Sequence, residues 1–107
     1  MTHVSTHVLN AVTGRPAAGV AVTLTDTTGT LIAQATTDEN GRVTSLTDDA
    51  LTGVYRLIFD TASYFAAQAV VGFYPEVLIS FEITDPAGRY HVPLLLSPYA
   101  YSTYRGS

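Results

Sequence analysis

The sequence contains no cysteine and no lysine, and each absence narrows the chemistry open to the protein. Without cysteine, disulfide bonds and thiolate catalysis are excluded. All five basic residues are arginines scattered along 107 residues, so the chain has no basic stripe for nucleic acid. No apolar run approaches the length needed to cross a membrane.

Charged residues are also scarce, at 13% of the chain, whereas 47% of the residues are hydrophobic. A chain of this size buries only about 60–70% of its unfolded surface, and few charges are available to cover the rest. We therefore expect a single domain over residues 1–107 that associates with copies of itself. The segment 1–5 lacks a basic region followed by an apolar one, so we expect a cytoplasmic protein without a secretory signal.

Short segments in which apolar and polar residues alternate dominate the sequence, and turn residues separate them. Val20, Val22 and Leu24 alternate with small polar residues, and the same period of two recurs further on. This pattern is typical of half-buried antiparallel strands. It predicts eight strands, near residues 3–11, 19–26, 30–37, 42–45, 53–59, 77–84, 89–96 and 99–106. The Asn40-Gly41 pair and the segment 85–88 are typical of hairpin turns.

One segment departs from this pattern. Asp60 is a suitable N-cap, and good helix formers follow it as far as Ala69. We predict one short helix there. Eight short strands and one helix indicate an all-β protein in which two sheets pack as a sandwich.

The alternation also indicates which polar side chains point outward. If the valines and leucines of the first strand and of strand 89–96 face the core, His7 and His91 face the other way. They lie close together only if their strands are neighbours. Two interpretations stay open beside catalysis: solvated surface histidines, and a metal site, for which no third ligand is evident. Phosphate-binding loops and nucleophile elbows are absent from the sequence.

Arg42 and the polar end of the chain are the other candidates. Arg42 directly follows the Asn40-Gly41 turn, where an arginine is most often solvated. The final residues alternate like a strand and would place Ser102, Tyr104 and Gly106 on one face. Chain ends usually fray, so composition and spacing alone predict no reaction for this segment.

Four segments of the chain resemble the 5-hydroxyisourate hydrolases of the transthyretin-like family. They are residues 3–17 (HVSTHVLNAVTGRPA), 60–65 (DTASYF), 73–77 (FYPEV) and 90–107 (YHVPLLLSPYAYSTYRGS). The resemblance spans nearly the whole chain, and the closing Tyr-Arg-Gly-Ser is its most specific part. This sequence departs from the family pattern at His3, where an apolar residue is more usual, and at Asn10, where aspartate is common.

The resemblance implies a fold, an assembly and a reaction. The fold would be a transthyretin-like sandwich of two four-stranded sheets with one short helix. The assembly would be a homotetramer, a dimer of dimers with active sites in the channel between the dimers. The reaction would open the ring amide of 5-hydroxyisourate to give 2-oxo-4-hydroxy-4-carboxy-5-ureidoimidazoline in urate degradation, with no cofactor and no metal.

The resemblance also implies which residues do this work. The expected catalytic residues are His7, Arg42, His91 and Ser107, the last through its hydroxyl or a terminal carboxylate. The expected substrate-binding residues are His7, Arg42 and Tyr104. Arg105 would hold the tail in place by pairing. The alternative is a transthyretin-like carrier, but that branch lacks the two histidines, the arginine and the closing Tyr-Arg-Gly-Ser.

Overall fold

The computed structural model describes every residue from Met1 to Ser107. The chain forms nine strands and one helix, joined by turns and loops. The strands are β1 (His3–Asn10), β2 (Arg15–Pro16), β3 (Ala21–Asp26), β4 (Leu31–Thr36), β5 (Arg42–Val43), β6 (Gly53–Phe59), β7 (Val77–Ile83), β8 (Arg89–Leu96) and β9 (Tyr101–Thr103). The helix is α1 (Thr61–Ala66). The predicted all-β fold with one short helix is confirmed.

The strands form two sheets. In the first, β1 pairs with β8 on one edge and with the two short strands β2 and β5 on the other, and β8 also pairs with β9. The second sheet has the order β4-β3-β6-β7. Because β2 and β5 share one edge of β1, the first sheet is four strands wide, although it contains five. The segment predicted as a strand over residues 42–45 contributes only two residues to it.

The expectation of antiparallel strands fails at one place, because β1 and β8 run parallel over their full length. Alternation specifies which face of a strand is buried but not the direction of its neighbour. The prediction that residues 40–41 and 85–88 form hairpins is also wrong. Both turns connect a strand of one sheet to a strand of the other, from β4 to β5 and from β7 to β8.

The core lies between the two sheets and follows the alternation. In β1, every second residue is buried, and in β8 the residues Tyr90, Val92, Leu94 and Leu96 face the same interior. The second sheet contributes residues such as Phe59. Residues of β1 and β8 that alternate with these buried positions therefore lie on the outer face of the first sheet.

The helix ends at Ala66, before the predicted end at Ala69, because residues 67–69 form a turn. The carboxylate of Asp60 accepts a hydrogen bond from the backbone N–H of Ser63 at 3.1 Å, as predicted for the N-cap. Ala69 has a φ of 55°, a left-handed conformation that ends regular helix geometry. With its six residues, α1 is far too short to span a membrane, and it is the only helix present.

The turn before β5 fixes where Arg42 starts. One carboxylate oxygen of Asp38 accepts hydrogen bonds from the N–H groups of Asn40 and Arg42, each at 2.9 Å. Gly41 has a φ of 74°, and its carbonyl accepts a hydrogen bond from the N–H of Val8 at 2.7 Å. A Cβ atom on Gly41 would collide with the Val8 carbonyl oxygen. Glycine here therefore lets β5 approach β1.

Replacing Gly41 by alanine should therefore destabilise the protein by about 3 kcal/mol, from left-handed strain and from collision with β1. Gly29→Ala is the matched control, because Gly29 has a φ of 86° but no atom near the position of an added Cβ. Its cost should be about 1 kcal/mol. Chemical denaturation measures both, and equal losses would show that the approach of β5 to β1 imposes no steric demand.

Candidate active site

The outer face of the first sheet gathers the histidines because β1 and β8 pair in one register. Ser5 lies opposite His91, and His7 lies opposite Pro93, one pair further along. Residues opposite each other in adjacent strands project to the same side of a sheet. His7 and His91 are thus on neighbouring strands of one face, which the sequence allowed but did not determine.

Arg42 reaches this face through β5. In the antiparallel pairing of β5 with β1, Arg42 lies opposite His7. Its guanidinium is always charged and offers several N–H donors in a planar fork. Composition alone favours a solvated arginine at this position. The strand pairing places Arg42 beside two imidazole groups, those of His7 and His91.

A cavity of about 390 Å³ opens on this face. Its lining brings together three of the expected site residues, Arg42, His91 and Ser107, and the full lining comprises His3, Ser5, Thr6, Arg42, Val43, Thr44, Arg89, His91 and Ser107. No acidic side chain is among these residues. The cavity is therefore suited to a ligand rich in carbonyl oxygens or negative charge. This cavity is named the cationic cavity for its arginine side chains, Arg42 and Arg89.

Sequence reasoning assigned no role in the site to six lining residues, and two of these, His3 and Arg89, carry ionisable side chains. His3 and Arg89 lie opposite each other in the pairing of β1 and β8, at the end of the same face. The alternation that singled out His7 and His91 also places both of them outward. The missing information was the parallel pairing, which aligns the two strands from their first residues.

Two expected site residues lie outside the lining of the cationic cavity. His7 occupies the same sheet face, between Arg42 on β5 and Pro93 on β8. Tyr104 lines a second cavity of about 300 Å³ with Ile79, Phe81 and Thr103, and His91 also borders that cavity. Tyr104 is 60% exposed.

The tail is a strand for three residues only, not for the predicted 99–106. Gly106 nevertheless bridges to His91, with its N–H donating to the His91 carbonyl at 2.8 Å. This pairing continues the register of β8 with β9, which would set Tyr104 opposite Pro93. Proline has no N–H to donate, so regular pairing lapses there.

Arg105 anchors the tail from the opposite face of β8. The central carbon of its guanidinium lies 5.0 Å from the centre of the Tyr90 ring, within the range of a cation–π contact. This contact is with an aromatic ring rather than with an acidic partner. It keeps the tail alongside β8, where Ser107 can line the cationic cavity.

The His91 ring is held by two neighbours. Its Nδ1 atom lies 2.8 Å from the hydroxyl oxygen of Ser5. On another side, a Cβ atom added to Gly106 would collide with the ring at Cδ2. The ring therefore has little freedom to rotate.

Partial burial lowers the pKa of His91 from its ordinary value, and the positive charge of Arg42 and then those of His7 and His3 lower it further. Burial and nearby positive charge both disfavour the imidazolium form. Both effects therefore favour the neutral form of His91. A neutral imidazole carries one N–H donor and one lone pair, so it can take part in proton transfer or hydrogen bonding near neutral pH.

The structure brings together no group of three or more His, Cys, Asp or Glu side chains that could hold a metal ion. What the face does supply is imidazole, guanidinium and hydroxyl groups. These groups can activate water, stabilise an oxyanion and protonate a leaving group.

The fold and the site define a class of protein, a two-sheet β-sandwich with a cationic, histidine-bearing outer face. The HIUase/Transthyretin family model matches residues 4–106. This match covers nearly the whole chain, and the protein belongs to that family.

Individual relatives agree with the family match. A 5-hydroxyisourate hydrolase of Salmonella dublin is 44% identical, over 96% of this chain and 79% of the relative. The solved structure of Klebsiella pneumoniae 5-hydroxyisourate hydrolase superposes with a TM-score of 0.91 at 36% identity, covering 98% of this chain and 99% of that one. Transthyretin from Sparus aurata gives a TM-score of 0.89 at 33% identity, covering 96% and 95%.

The environment of His91 should be visible in its titration. We expect the NMR midpoint of His91 to lie below the ordinary histidine value of about 6.5, because burial and Arg42 oppose protonation. Arg42→Gln removes one positive charge and should raise that midpoint. Arg15→Gln is the control, because Arg15 is an exposed residue of β2 outside the cationic cavity. A wild-type midpoint at or above 6.5 would contradict this description of the site.

Proposed function

We propose that this protein is a hydrolase that opens the ring amide of 5-hydroxyisourate in urate degradation. The observation that carries the proposal is the convergence of Arg42, His91 and Ser107 on one cavity without acidic side chains. Relatives named 5-hydroxyisourate hydrolase, 44% identical in the case of Salmonella dublin, supply the substrate. The cavity, at about 390 Å³, is large enough for a small bicyclic molecule.

The proposed reaction is the attack of water on a ring carbonyl. A base takes a proton from the water, and negative charge develops on the carbonyl oxygen. The tetrahedral intermediate then breaks its bond to the ring nitrogen, which accepts a proton as it leaves. The products are a carboxylic acid, which ionises to a carboxylate by releasing its proton to solvent, and the freed nitrogen group, so no oxidant or other co-reactant is required.

His7 and His91 are the proposed groups for water positioning and proton transfer. His91 borders the cavity, and His7 occupies the neighbouring position of the same sheet face. Arg42, opposite His7, would bind the carbonyl oxygens of the substrate and the developing oxyanion. A positive charge already fixed in place stabilises the transition state without reorganising solvent.

Two residues of the tail, Ser107 and Tyr104, are proposed to contact the substrate or the attacking water. Ser107 lines the cationic cavity and would orient the substrate or the water. Tyr104 lines the second cavity, which shares His91 with the first. A substrate contact with Tyr104 therefore requires the substrate to extend past His91 from one cavity into the other.

A transthyretin-like carrier is the second candidate. The observation that favours it is the likeness to transthyretin from Sparus aurata, which is nearly as great in shape as the likeness to the hydrolase. A carrier would bind its ligand without changing it. Hydrolysis of freshly generated 5-hydroxyisourate, followed by absorbance, separates the two candidates.

The hydrolase proposal predicts the effect of removing the site groups. His91→Asn and His7→Asn should each lower turnover by roughly 10²- to 10⁴-fold, the usual range for loss of a group that assists proton transfer or stabilises the oxyanion. Arg42→Gln should also lower turnover, whereas Arg15→Gln, outside the cavity, should not. Circular dichroism would check that each variant is folded. Near-normal turnover in a folded His91→Asn protein would remove His91 from the mechanism.

We also propose a homotetramer, built as a dimer of dimers with the active sites between dimers. The features that support it are two strands, β7 and β9, each at an edge of its sheet with one side unpaired. Exposed edge strands tend to pair with another chain unless they are protected. Leu78, Tyr99 and Tyr101 on or beside these strands are exposed, which fits a surface that another copy covers.

Light scattering should then give about four times the chain mass of 11.4 kDa. Leu78→Glu on β7 places a charge on the edge proposed to pair, so it should lower the measured mass. Glu39→Gln, a change in an exposed turn, is a control that should leave the mass unchanged. A stable monomer with full hydrolytic activity would refute an active site that depends on assembly.

A further inference from the structure

Ser5 is a residue of the site face to which neither the reaction nor the family resemblance gives a role. It lies directly opposite His91 in the parallel pairing of β1 and β8, and it is half-buried. Its hydroxyl oxygen is 2.8 Å from Nδ1 of His91. This is the distance of a well-formed hydrogen bond.

The available partners indicate which atom donates in this hydrogen bond. The Ser5 hydroxyl has one hydrogen to donate, and Nδ1 of His91 is the one protein acceptor that the structure gives it. If Nδ1 instead carried the proton and donated it, the hydroxyl hydrogen would have no protein acceptor. A half-buried donor without a partner costs free energy, so donation from Ser5 to Nδ1 is favoured.

This assignment also determines where the ring proton lies and which ring atoms can contact a ligand. A neutral imidazole has a single N–H, and a lone pair held at Nδ1 places that N–H on Nε2. Gly106 packs against the ring at Cδ2. Of the ring atoms able to contact a ligand, Cε1 and Nε2 are left, and of these only Nε2–H forms a strong hydrogen bond.

We propose that Ser5 is a positioning residue that holds His91 as the tautomer with its proton on Nε2, so that His91 offers the substrate an N–H donor and not a base. A neutral imidazole is a poor source of a whole proton, because losing one would leave an imidazolate anion. His91 then stabilises the oxyanion by hydrogen bonding and remains neutral throughout. The lowering of the His91 pKa by burial agrees with this, since a neutral ring is what the role requires.

This assignment, which rests on the proposed function, gives the proton transfers to His7. His7 takes a proton from the attacking water and becomes imidazolium. It returns that proton to the ring nitrogen as the carbon–nitrogen bond breaks. Every proton is accounted for, and His91 neither gains nor loses one.

The first test is spectroscopic and does not depend on activity. With ¹⁵N-labelled histidine at a pH above the His91 midpoint, Nε2 of His91 should show the shift of a protonated nitrogen. Nδ1 should show that of an unprotonated nitrogen that accepts a hydrogen bond. Finding the proton on Nδ1 would overturn the proposal, whatever the protein catalyses.

The second test uses the sign of a pKa change. A hydrogen bond donated to the lone pair of Nδ1 favours neutral His91, so Ser5→Ala should raise its pKa by roughly half to one unit. Ser5→Thr keeps the hydroxyl and should leave the pKa near the wild-type value. The charged and titratable groups facing His91 stay in place in both variants, namely His3 and His7 on β1, Arg42 on β5 and Arg89 on β8. An unchanged or lower pKa in Ser5→Ala would contradict the proposal.

Kinetic measurements distinguish a failure of this proposal from a failure of the proposed function. Ser5→Ala should lower kcat by roughly 3- to 10-fold, with a smaller effect on KM, and Ser5→Thr should restore most of it. Thr36→Ala, in an exposed strand position of β4 in the other sheet, is the matched control. If wild-type protein fails to hydrolyse the substrate, the function fails while the tautomer assignment is still decided by NMR. If wild-type protein is active and Ser5→Ala keeps full turnover, the positioning role fails alone.

Discussion

The parallel pairing of β1 with β8 is the constraint on which the site depends. It brings together two segments more than 80 residues apart and sets their register from His3 and Arg89 onward. A slip of one residue would turn each outward histidine into the core and each core valine into solvent. The burial of Val4, Val8 and Leu94 therefore helps to hold Ser5 opposite His91.

The remaining site groups reach this face by local devices. The Asp38 carboxylate and the left-handed Gly41 let β5 approach β1 and set Arg42 opposite His7. The tail is held on the other side of β8 by Arg105 on Tyr90, and Gly106 then lies against His91. Stability and chemistry are linked in both cases, because small backbone contacts decide where a cation or an imidazole is placed.

Alternation was sufficient to predict the class of fold and the outward direction of His7 and His91, and the N-cap residue Asp60 with the helix formers after it predicted the helix. Alternation could not predict the parallel direction of β8, because a period of two is the same for either direction. It likewise gave no sign that the turn at Gly41 joins different sheets. Without the pairing of β1 with β8, His3, Ser5 and Arg89 could not be assigned to the site. The roles of Arg42 and Ser107 came from the family resemblance and not from spacing.

The central claim is that the cationic cavity is the place where a purine-derived substrate binds, beside His91 and Arg42. The most direct measurement is an NMR titration with urate, the stable planar compound from which 5-hydroxyisourate is formed. The account predicts that resonances of Ser5, Arg42 and His91 shift together, while those around Gln34 and Glu76, which line a separate cavity on the second sheet, stay unchanged. Shifts confined to that separate cavity, with His91 and Arg42 unaffected, would contradict it.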